Sequence, residues 1–154
     1  MDRLDREILK RLQENCRIST EELGSQVGLS ATACQRRLKK LRQKKIIQKE
    51  VAVLDGISAG GHVTVVVEVT LSRGGAVAID AFREKMRAEE AVQQCYYMAG
   101  DVDFFLVVVA RNMPGYEKLT RKLFLNDSNV RKFHSNVVME NVKVGLSIPL
   151  AGAA

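Results

Sequence analysis

Residues 19–43 read STEELGSQVGLSATACQRRLKKLRQ, and this stretch decides the fold of the first part of the chain. It opens on Ser19 with a glutamate three residues later, Glu22, which is the pattern of a helix capping box. Gly28 suits the left-handed backbone that ends a helix, and Ser30 is a natural N-cap for the next one. The stretch therefore predicts a short helix, a glycine turn and a longer helix, which is helix-turn-helix spacing.

The longer predicted helix has two different faces when successive residues are placed about 100° apart. Cys34, Leu38 and Leu41 form one apolar stripe that must face a core. The opposite side is polar and basic. In a recognition helix, short polar side chains near the start reach base edges, and arginine and lysine bind guanine or phosphate. The residues predicted to contact DNA are Ser30, Thr32, Gln35, Arg36, Arg37, Lys39 and Lys40.

The positive charge of the chain is concentrated in the same region. The 154 residues carry a formal net charge of +6. Residues 1–50 hold 13 Lys and Arg against 7 Asp and Glu, whereas residues 51–154 hold 11 of each. Seven of the ten residues from Arg36 to Lys45 are basic. This asymmetry predicts two modules, one of which meets a polyanion. For a basic run taken alone, a solvated helix face is the alternative.

The residues on either side complete the first module. Leu4, Ile8 and Leu12 recur every four residues, which predicts an amphipathic helix ending near Asn15. Residues 46–54, IIQKEVAVL, are rich in β-branched side chains and predict a strand, which would make the module a winged helix-turn-helix. Turn residues follow at positions 55–56 and 59–61. We therefore predict a DNA-binding domain over residues 1–58 and a second domain over residues 59–154.

The second domain alternates between valine-rich runs and helical spacing. Strands are predicted over residues 62–71, 92–99, 103–110 and 133–139, the last with room to continue through 144, and helices over 77–86 and 114–126. The resulting βαββαβ order is the ferredoxin-like arrangement, an antiparallel sheet with helices on one face. The strands are apolar on both sides, so we expect another copy of the chain to cover the open face. The fold class is α+β.

The turn between the two middle strands is a candidate ligand site. Gly100 allows a ligand to approach the backbone, free amides hold a carboxylate, and Asp101 or Asp103 pairs with an ammonium group. An ordinary hairpin turn with two solvated acids is the alternative. The residues predicted to bind the ligand are Met98, Ala99, Gly100, Asp101, Val102 and Asp103.

Other kinds of site are not indicated. The three cysteines form no C-x-x-C pair and the two histidines lie far from them, so we predict no disulfide, no metal site and no cofactor. The cysteines are expected to be small buried packing residues. No catalytic triad or phosphate-binding glycine loop appears, which argues against an enzyme. The longest apolar run has seven residues, far short of the ~20 of a spanning helix, so a cytoplasmic protein without a membrane partner is expected.

Five short segments carry a family resemblance: LDREIL at residues 4–9, VGLS at 27–30, RRLKKL at 36–41, YMAGDVDFFL at 97–106, and Lys143 with IPL at 148–150. Together they resemble the Lrp/AsnC regulators, the feast/famine transcription factors of bacteria and archaea. The resemblance covers nearly the whole chain in the right order. One departure is Lys45, which stands where the family usually has a glycine.

The resemblance implies properties that residue spacing does not show. Family members are dimers or octamers built through the ferredoxin-like domain, bind promoter DNA, and hold amino acids between dimers near the turn at Gly100–Asp103. By analogy, Ser135 at the last strand completes that pocket. The predicted function is sequence-specific regulation of transcription, with assembly or DNA binding responding to a small amino acid. The alternative is a metabolite-sensing oligomer whose basic module docks an acidic protein, and affinity for duplex DNA distinguishes the two.

Overall fold

A computed structural model describes residues 1–56, 58–72 and 75–150, which form two compact units. The helix-turn-helix unit comprises Met1–Val53 together with the segment that starts at Lys143, and the sheet unit comprises Leu54–Val142. The predicted boundary between residues 58 and 59 lies five residues after the division between Val53 and Leu54. The prediction, however, assigned the C-terminal segment to the second domain, and residues 151–154 lie outside the described part. None of the described helices is long and apolar enough to cross a membrane.

The helix-turn-helix unit contains three helices, α1 (Arg3–Glu14), α2 (Thr20–Val27) and α3 (Ala31–Gln43). Side chains cap the last two as the sequence predicted, because Ser19 Oγ accepts from the Glu22 amide at 3.1 Å and Ser30 Oγ accepts from the Ala33 amide at 3.3 Å. A two-way capping box forms instead at α1, between Asp2 and Asp5. Gly28 ends α2 in the left-handed conformation, with φ of 72°.

The core of this unit is built by one stripe from each helix. The predicted apolar stripe of α3 is confirmed as buried. The buried core residues are Ile8, Leu9, Leu23, Cys34, Leu38 and Leu41. Of the cysteines, Cys34 is a buried packing residue as expected, but Cys16 and Cys95 are exposed, so the expectation was wrong for those two.

The predicted wing strand is not formed, because the described residues between Lys44 and Gly56 contain no strand. The side chains of Val51 and Val53 are instead 61% and 91% exposed. A strand needs a hydrogen-bonded neighbour, and β-branched composition alone does not supply one. The structure therefore shows a helix-turn-helix without a wing in this chain.

A segment distant in sequence completes the helix-turn-helix unit. The Gln13 side chain bonds both backbone groups of Ile148, accepting from its amide at 2.7 Å and donating to its carbonyl at 3.1 Å. Leu150 packs against the apolar core of the unit. The C-terminal segment is thus held on α1 by a contact between two residues that lie 135 positions apart in sequence.

The sheet unit has the predicted βαββαβ order. Its elements are β1 (Val63–Leu71), α4 (Ala76–Arg87), β2 (Val92–Tyr97), β3 (Phe104–Ala110), α5 (Met113–Thr120), continued by a π-helical turn (Arg121–Leu125), and β4 (Val130–Val137). The strands form one antiparallel sheet in the order β2-β3-β1-β4. Strand β4 ends at Val137, so the predicted extension through residues 139 and 144 is not formed.

The two faces of the sheet differ. Alternate residues of β1 and β3 are buried against Phe82 and Met86 of α4 and against α5 with the π-helical turn that continues it. The residues between them, including Val66 and its register partner Val107, lie on the other face and are half-buried. No described helix packs on that face, which confirms that the helices lie on one side of the sheet.

Candidate DNA-binding helix and ligand turn

The exposed face of α3 carries most of the residues predicted to contact DNA. Ser30 caps the helix through its hydroxyl, as described above. Five further residues project from the solvent side, opposite the buried stripe: Thr32, Gln35, Arg36, Lys39 and Lys40. The structure therefore brings six of the seven predicted residues together on one end and one face of a single helix.

The cations on this face are not neutralised within the chain. Among the residues that the structure describes, Arg36, Lys39 and Lys40 form no ion pair, whereas Arg42 pairs with Glu50 at 2.8 Å. Lysine and arginine side chains without an internal anion are available to phosphate groups. The face therefore has the charge and the polar groups that a nucleic-acid interface needs.

Arg37 is placed differently from the other predicted residues. Its Nη1 lies 2.6 Å from Asp2 Oδ2 and 2.7 Å from Asp5 Oδ1, so it joins α3 to the start of α1. The hydrogen bonds that Arg37 donates to Asp2, and then those it donates to Asp5, raise the pKa of Arg37. The pKa of the Asp2 carboxyl is lowered, first by the Asp5 amide and then by Arg37. Arg37 is therefore committed to a contact inside the unit.

Sequence reasoning missed Gly24, which shapes the turn before α3. A Cβ added at Gly24 would lie 2.5 Å from the carbonyl oxygen of Leu29. The Leu29 amide in turn donates to the Gly24 carbonyl at 2.9 Å. The backbone of the turn thus passes directly over Gly24, where only glycine fits. A glycine in the middle of a predicted helix was the available signal.

The candidate ligand turn, residues 98–103, joins β2 to β3. The Met98 amide donates to the Asp103 carbonyl at 2.8 Å, and the Asp103 amide donates to the Val69 carbonyl at 3.0 Å. Oδ2 of Asp103 accepts from the Leu71 amide at 2.7 Å. Asp103 therefore fixes the turn to the end of β1, while Asp101 is exposed.

The tip of this turn is open. A Cβ added at Gly100 would meet no atom of the described chain within 4 Å, and φ of Gly100 is not positive. Within the described residues, the amides of Ala99, Gly100, Asp101 and Val102 donate no backbone hydrogen bond. The turn therefore offers unpaired donors beside an exposed carboxylate, with side chains of Met98 and Val102 next to them.

Ser135 is not brought to this turn within one chain. On β4 it pairs in register with Val67 of β1, and its Oγ lies 2.5 Å from the hydroxyl oxygen of Tyr116 on α5. Burial raises the pKa of Tyr116, which keeps that hydroxyl neutral. The predicted ligand residues thus lie in two places, the turn and the edge of the sheet that faces α5.

Comparison with known families covers both units. The AsnC-type helix-turn-helix domain matches residues 1–42, and the Lrp/AsnC ligand binding domain matches residues 64–148. The first matched region ends one residue before the end of α3, and the second begins one residue inside β1 and contains the rest of the sheet. The order of domains is the one predicted from the sequence.

Two curated relatives are similar along nearly the whole chain. An HTH-type transcriptional regulator of Sinorhizobium fredii is 40% identical over 150 residues, which cover 97% of this chain and 89% of the relative. The leucine-responsive regulatory protein of Escherichia coli is 36% identical over 143 residues, which cover 93% and 87%. Both relatives are named as regulators.

Solved structures have the same fold. The AsnC family transcriptional regulator from Agrobacterium tumefaciens superposes with a TM-score of 0.89 at 33% identity, covering 97% of both chains. A transcriptional regulator of Neisseria meningitidis, solved as a complex with L-Met, gives 0.88 at 28% identity, covering 97% and 96%. With both domains matched and relatives above 30% identity along the chain, this protein belongs to the Lrp/AsnC family of transcriptional regulators, which are not enzymes.

Proposed function

We propose that this regulator binds specific promoter DNA through α3 and that an amino acid bound at the turn of residues 98–103 changes its assembly or its DNA binding. The observation that carries the DNA part is the exposed face of α3. Arg36, Lys39 and Lys40 on this face have no ion-pair partner among the described residues, and the opposite side of the helix is buried in the unit core. A helix anchored on one side and cationic on the other suits the major groove.

The residues of α3 have different roles in this proposal. Thr32 and Gln35 lie near the start of the helix, where side chains reach base edges. Arg36, Lys39 and Lys40 bind phosphate or guanine. Ser30 holds the first turn through its hydroxyl and offers backbone contacts there. Each phosphate contact releases counterions, so binding should weaken steeply with salt.

The effector is proposed to be a small amino acid. Its carboxylate accepts from the unpaired amides of Ala99, Gly100 and Asp101, and its ammonium pairs with the exposed Asp101 carboxylate. Asp103 holds the turn in shape through the Leu71 amide. The relative solved with L-Met supports an amino acid as the class of ligand. Because Ser135 lies elsewhere in one chain, we assign its contact to a site shared with a second copy.

Self-association is part of the same proposal. The face of the sheet without helices presents half-buried Val66, Phe105, Val107 and Val109. Thr64 and Glu68 of β1 lie on the same face, opposite Val109 and Phe105, so its apolar part lies mainly on β3. A second copy of this face would remove that apolar part from water. The proposed assembly is a dimer, or an octamer built from four dimers, acting on DNA in the cytoplasm. A ligand that prefers one assembly over another shifts the balance between them.

The test is fluorescence anisotropy with the duplex upstream of the protein's own coding sequence and a scrambled duplex of equal length. Each is titrated at two salt concentrations, with and without pooled L-amino acids. We expect tighter binding to the native duplex, a steep salt dependence, and a shift with at least one amino acid. Genomic fragments selected by the protein replace the upstream duplex if its targets lie elsewhere.

Two results would contradict the proposal. Equal, weak binding to every duplex, including selected genomic fragments, would leave the basic face without a DNA target and would favour an acidic protein as its partner. Specific binding that no amino acid alters would remove the effector part and keep the DNA part.

A further inference from the structure

We infer that Arg37 positions the DNA-binding helix α3 rather than contacting DNA, and that it does so through the carboxylates of Asp2 and Asp5 on α1. The inference rests on the proposed function, since it takes α3 as the helix that meets DNA. It reverses the DNA contact that the sequence predicted for Arg37.

The contacts form a closed network at the start of α1. Arg37 Nη1 bonds Asp2 Oδ2 and Asp5 Oδ1, and the side chains of Arg37 and Asp5 are only 24% and 16% exposed. The two aspartates also bond each other's backbone, because the Asp5 amide donates to Asp2 Oδ1 at 2.8 Å and the Asp2 amide donates to Asp5 Oδ2 at 3.1 Å. One guanidinium nitrogen thus donates to both carboxylates of the capping box at the N-terminus of α1.

The direction of the side chain argues against a phosphate contact. At about 100° per residue, Arg37 lies about 140° around α3 from Thr32, beside the buried stripe and away from Lys39. Two carboxylates already surround its charge. To bind a phosphate, Arg37 would have to give up two short charge-assisted hydrogen bonds for one new ionic contact. Arg36, one residue earlier, has no such partner among the described residues.

The network supplies what the apolar core does not. Leu38 and Leu41 of α3 pack in the same core as Ile8 and Leu9 of α1 through non-directional contacts. Small rotations of α3 about its axis therefore cost little free energy. An ion pair of defined geometry selects one rotation. Reading base edges needs that rotation, whereas attraction to the phosphate backbone does not. The specific affinity would therefore fall in proportion to the fraction of helix-turn-helix units in which α3 is misaligned.

The first test uses Asp5→Asn, for which electrostatics and positioning predict opposite results. Losing a negative charge makes the unit more positive, so attraction alone would tighten binding to every duplex. Positioning predicts instead that the ratio of target to scrambled affinity falls about tenfold, the scale of one hydrogen bond to a charged group. Glu14→Gln is the matched control, because it removes the same charge from the exposed end of α1, and its ratio should not change.

The second test exchanges the charges. Arg37→Asp alone should lose specificity, and the double variant Asp5→Arg with Arg37→Asp should recover most of it, since the pair is rebuilt with the same net charge. The slope of log affinity against log salt should match that of the wild type in the exchanged protein. This slope does not depend on the folded fraction, so partial unfolding of a variant does not hide the result.

The outcomes separate the two proposals. If the exchanged protein binds as weakly as Arg37→Asp and its salt slope is smaller by about one, Arg37 contacts phosphate and the inference is overturned. Tighter and equally selective binding by Asp5→Asn would overturn it as well. A wild type that selects no duplex from a random pool contradicts the proposed function itself, whatever the variants do.

Discussion

Gly24, which lies in α2 beneath the turn of the helix-turn-helix unit, and Gly100, in the turn between β2 and β3, differ in the space around them. At Gly24 the chain itself leaves no room, because an added Cβ would lie 2.5 Å from the Leu29 carbonyl oxygen. At Gly100 an added Cβ would meet no atom of the described residues within 4 Å. One glycine is required by the fold. No contact within the described chain requires the other, and the proposed ligand site gives it a role.

The same distinction separates two neighbouring arginines on α3. Arg37 has partners inside its unit, Asp2 and Asp5. Arg36 is exposed and has no ion-pair partner in the described part of the chain. Residues that internal contacts explain should affect folding when they are replaced. Replacing residues without internal contacts should weaken binding and leave folding unchanged. The following variants test this difference.

The largest effect is expected for Gly24→Ala. The new methyl group meets backbone atoms of Leu29 and Ser30, which cannot move without opening the turn. We expect the free energy of unfolding of the helix-turn-helix unit to fall by about 2 kcal/mol, with loss of DNA binding. Urea unfolding followed by circular dichroism measures the first effect, and anisotropy measures the second. Gly100→Ala is the control and should change the stability by less than about 0.5 kcal/mol. Equal stability of the two variants would refute the comparison.

Gly100→Trp comes next and should abolish the amino-acid response while the protein stays folded. The indole fills the open space over the unpaired amides of residues 99–101, so the ligand carboxylate is excluded. Titration calorimetry with the amino acid that shifts the wild type should show no heat of binding. DNA binding without amino acid should persist. A response like that of the wild type would move the pocket away from this turn.

Arg36→Ala should weaken DNA binding by about tenfold at low salt and reduce the salt slope by about one, the signature of one lost phosphate contact. Assembly should be intact, because Arg36 has no partner among the described residues. Anisotropy across a salt series measures the slope, and light scattering measures the mass. Lys118→Ala removes an equal charge from α5 and should leave the slope unchanged. An unchanged slope for Arg36→Ala would exclude that residue from the interface.

The smallest effect concerns Lys45, which has a positive φ of 55° although it is not a glycine. The left-handed conformation costs lysine about 1 kcal/mol, and glycine's extra freedom in the unfolded chain offsets about half of that. Lys45→Gly should therefore raise the free energy of unfolding by about 0.5 kcal/mol. Lys44→Gly is the control, because φ of Lys44 is −78° and glycine there should only destabilise. Thermal unfolding shows whether stability rises in Lys45→Gly and falls in Lys44→Gly.

Local signals account for what the sequence predicted well. Ser19, Ser30 and Gly28 act within a few residues of themselves, and the helix boundaries follow from them. The valine-rich runs of β1 and β3 were recognisable because their composition suits a buried sheet. The order of elements, and with it the fold class, needed nothing more than these local patterns.

Features that depend on distant residues were missed. The wing segment has the composition of a strand but no neighbour among the described residues, so Val51 and Val53 are exposed. Helical spacing places Arg37 at the border of two faces, and only the position of Asp2 and Asp5 decides which one it serves. The contact between Gln13 and Ile148 spans 135 residues, and no periodicity indicates it.

That last contact has a consequence for how the protein is made. The sheet unit is inserted into the sequence of the helix-turn-helix unit, whose last helix ends at Gln43 and whose Ile148 and Leu150 come about a hundred residues later. At about 5–20 residues per second, a ribosome needs roughly five to twenty seconds to deliver them. During that interval the helices of the helix-turn-helix unit lack the C-terminal segment that packs on α1. A fragment cut after residue 58 would remain in that unfinished state permanently, so the isolated N-terminal piece is a poor substitute for the regulator.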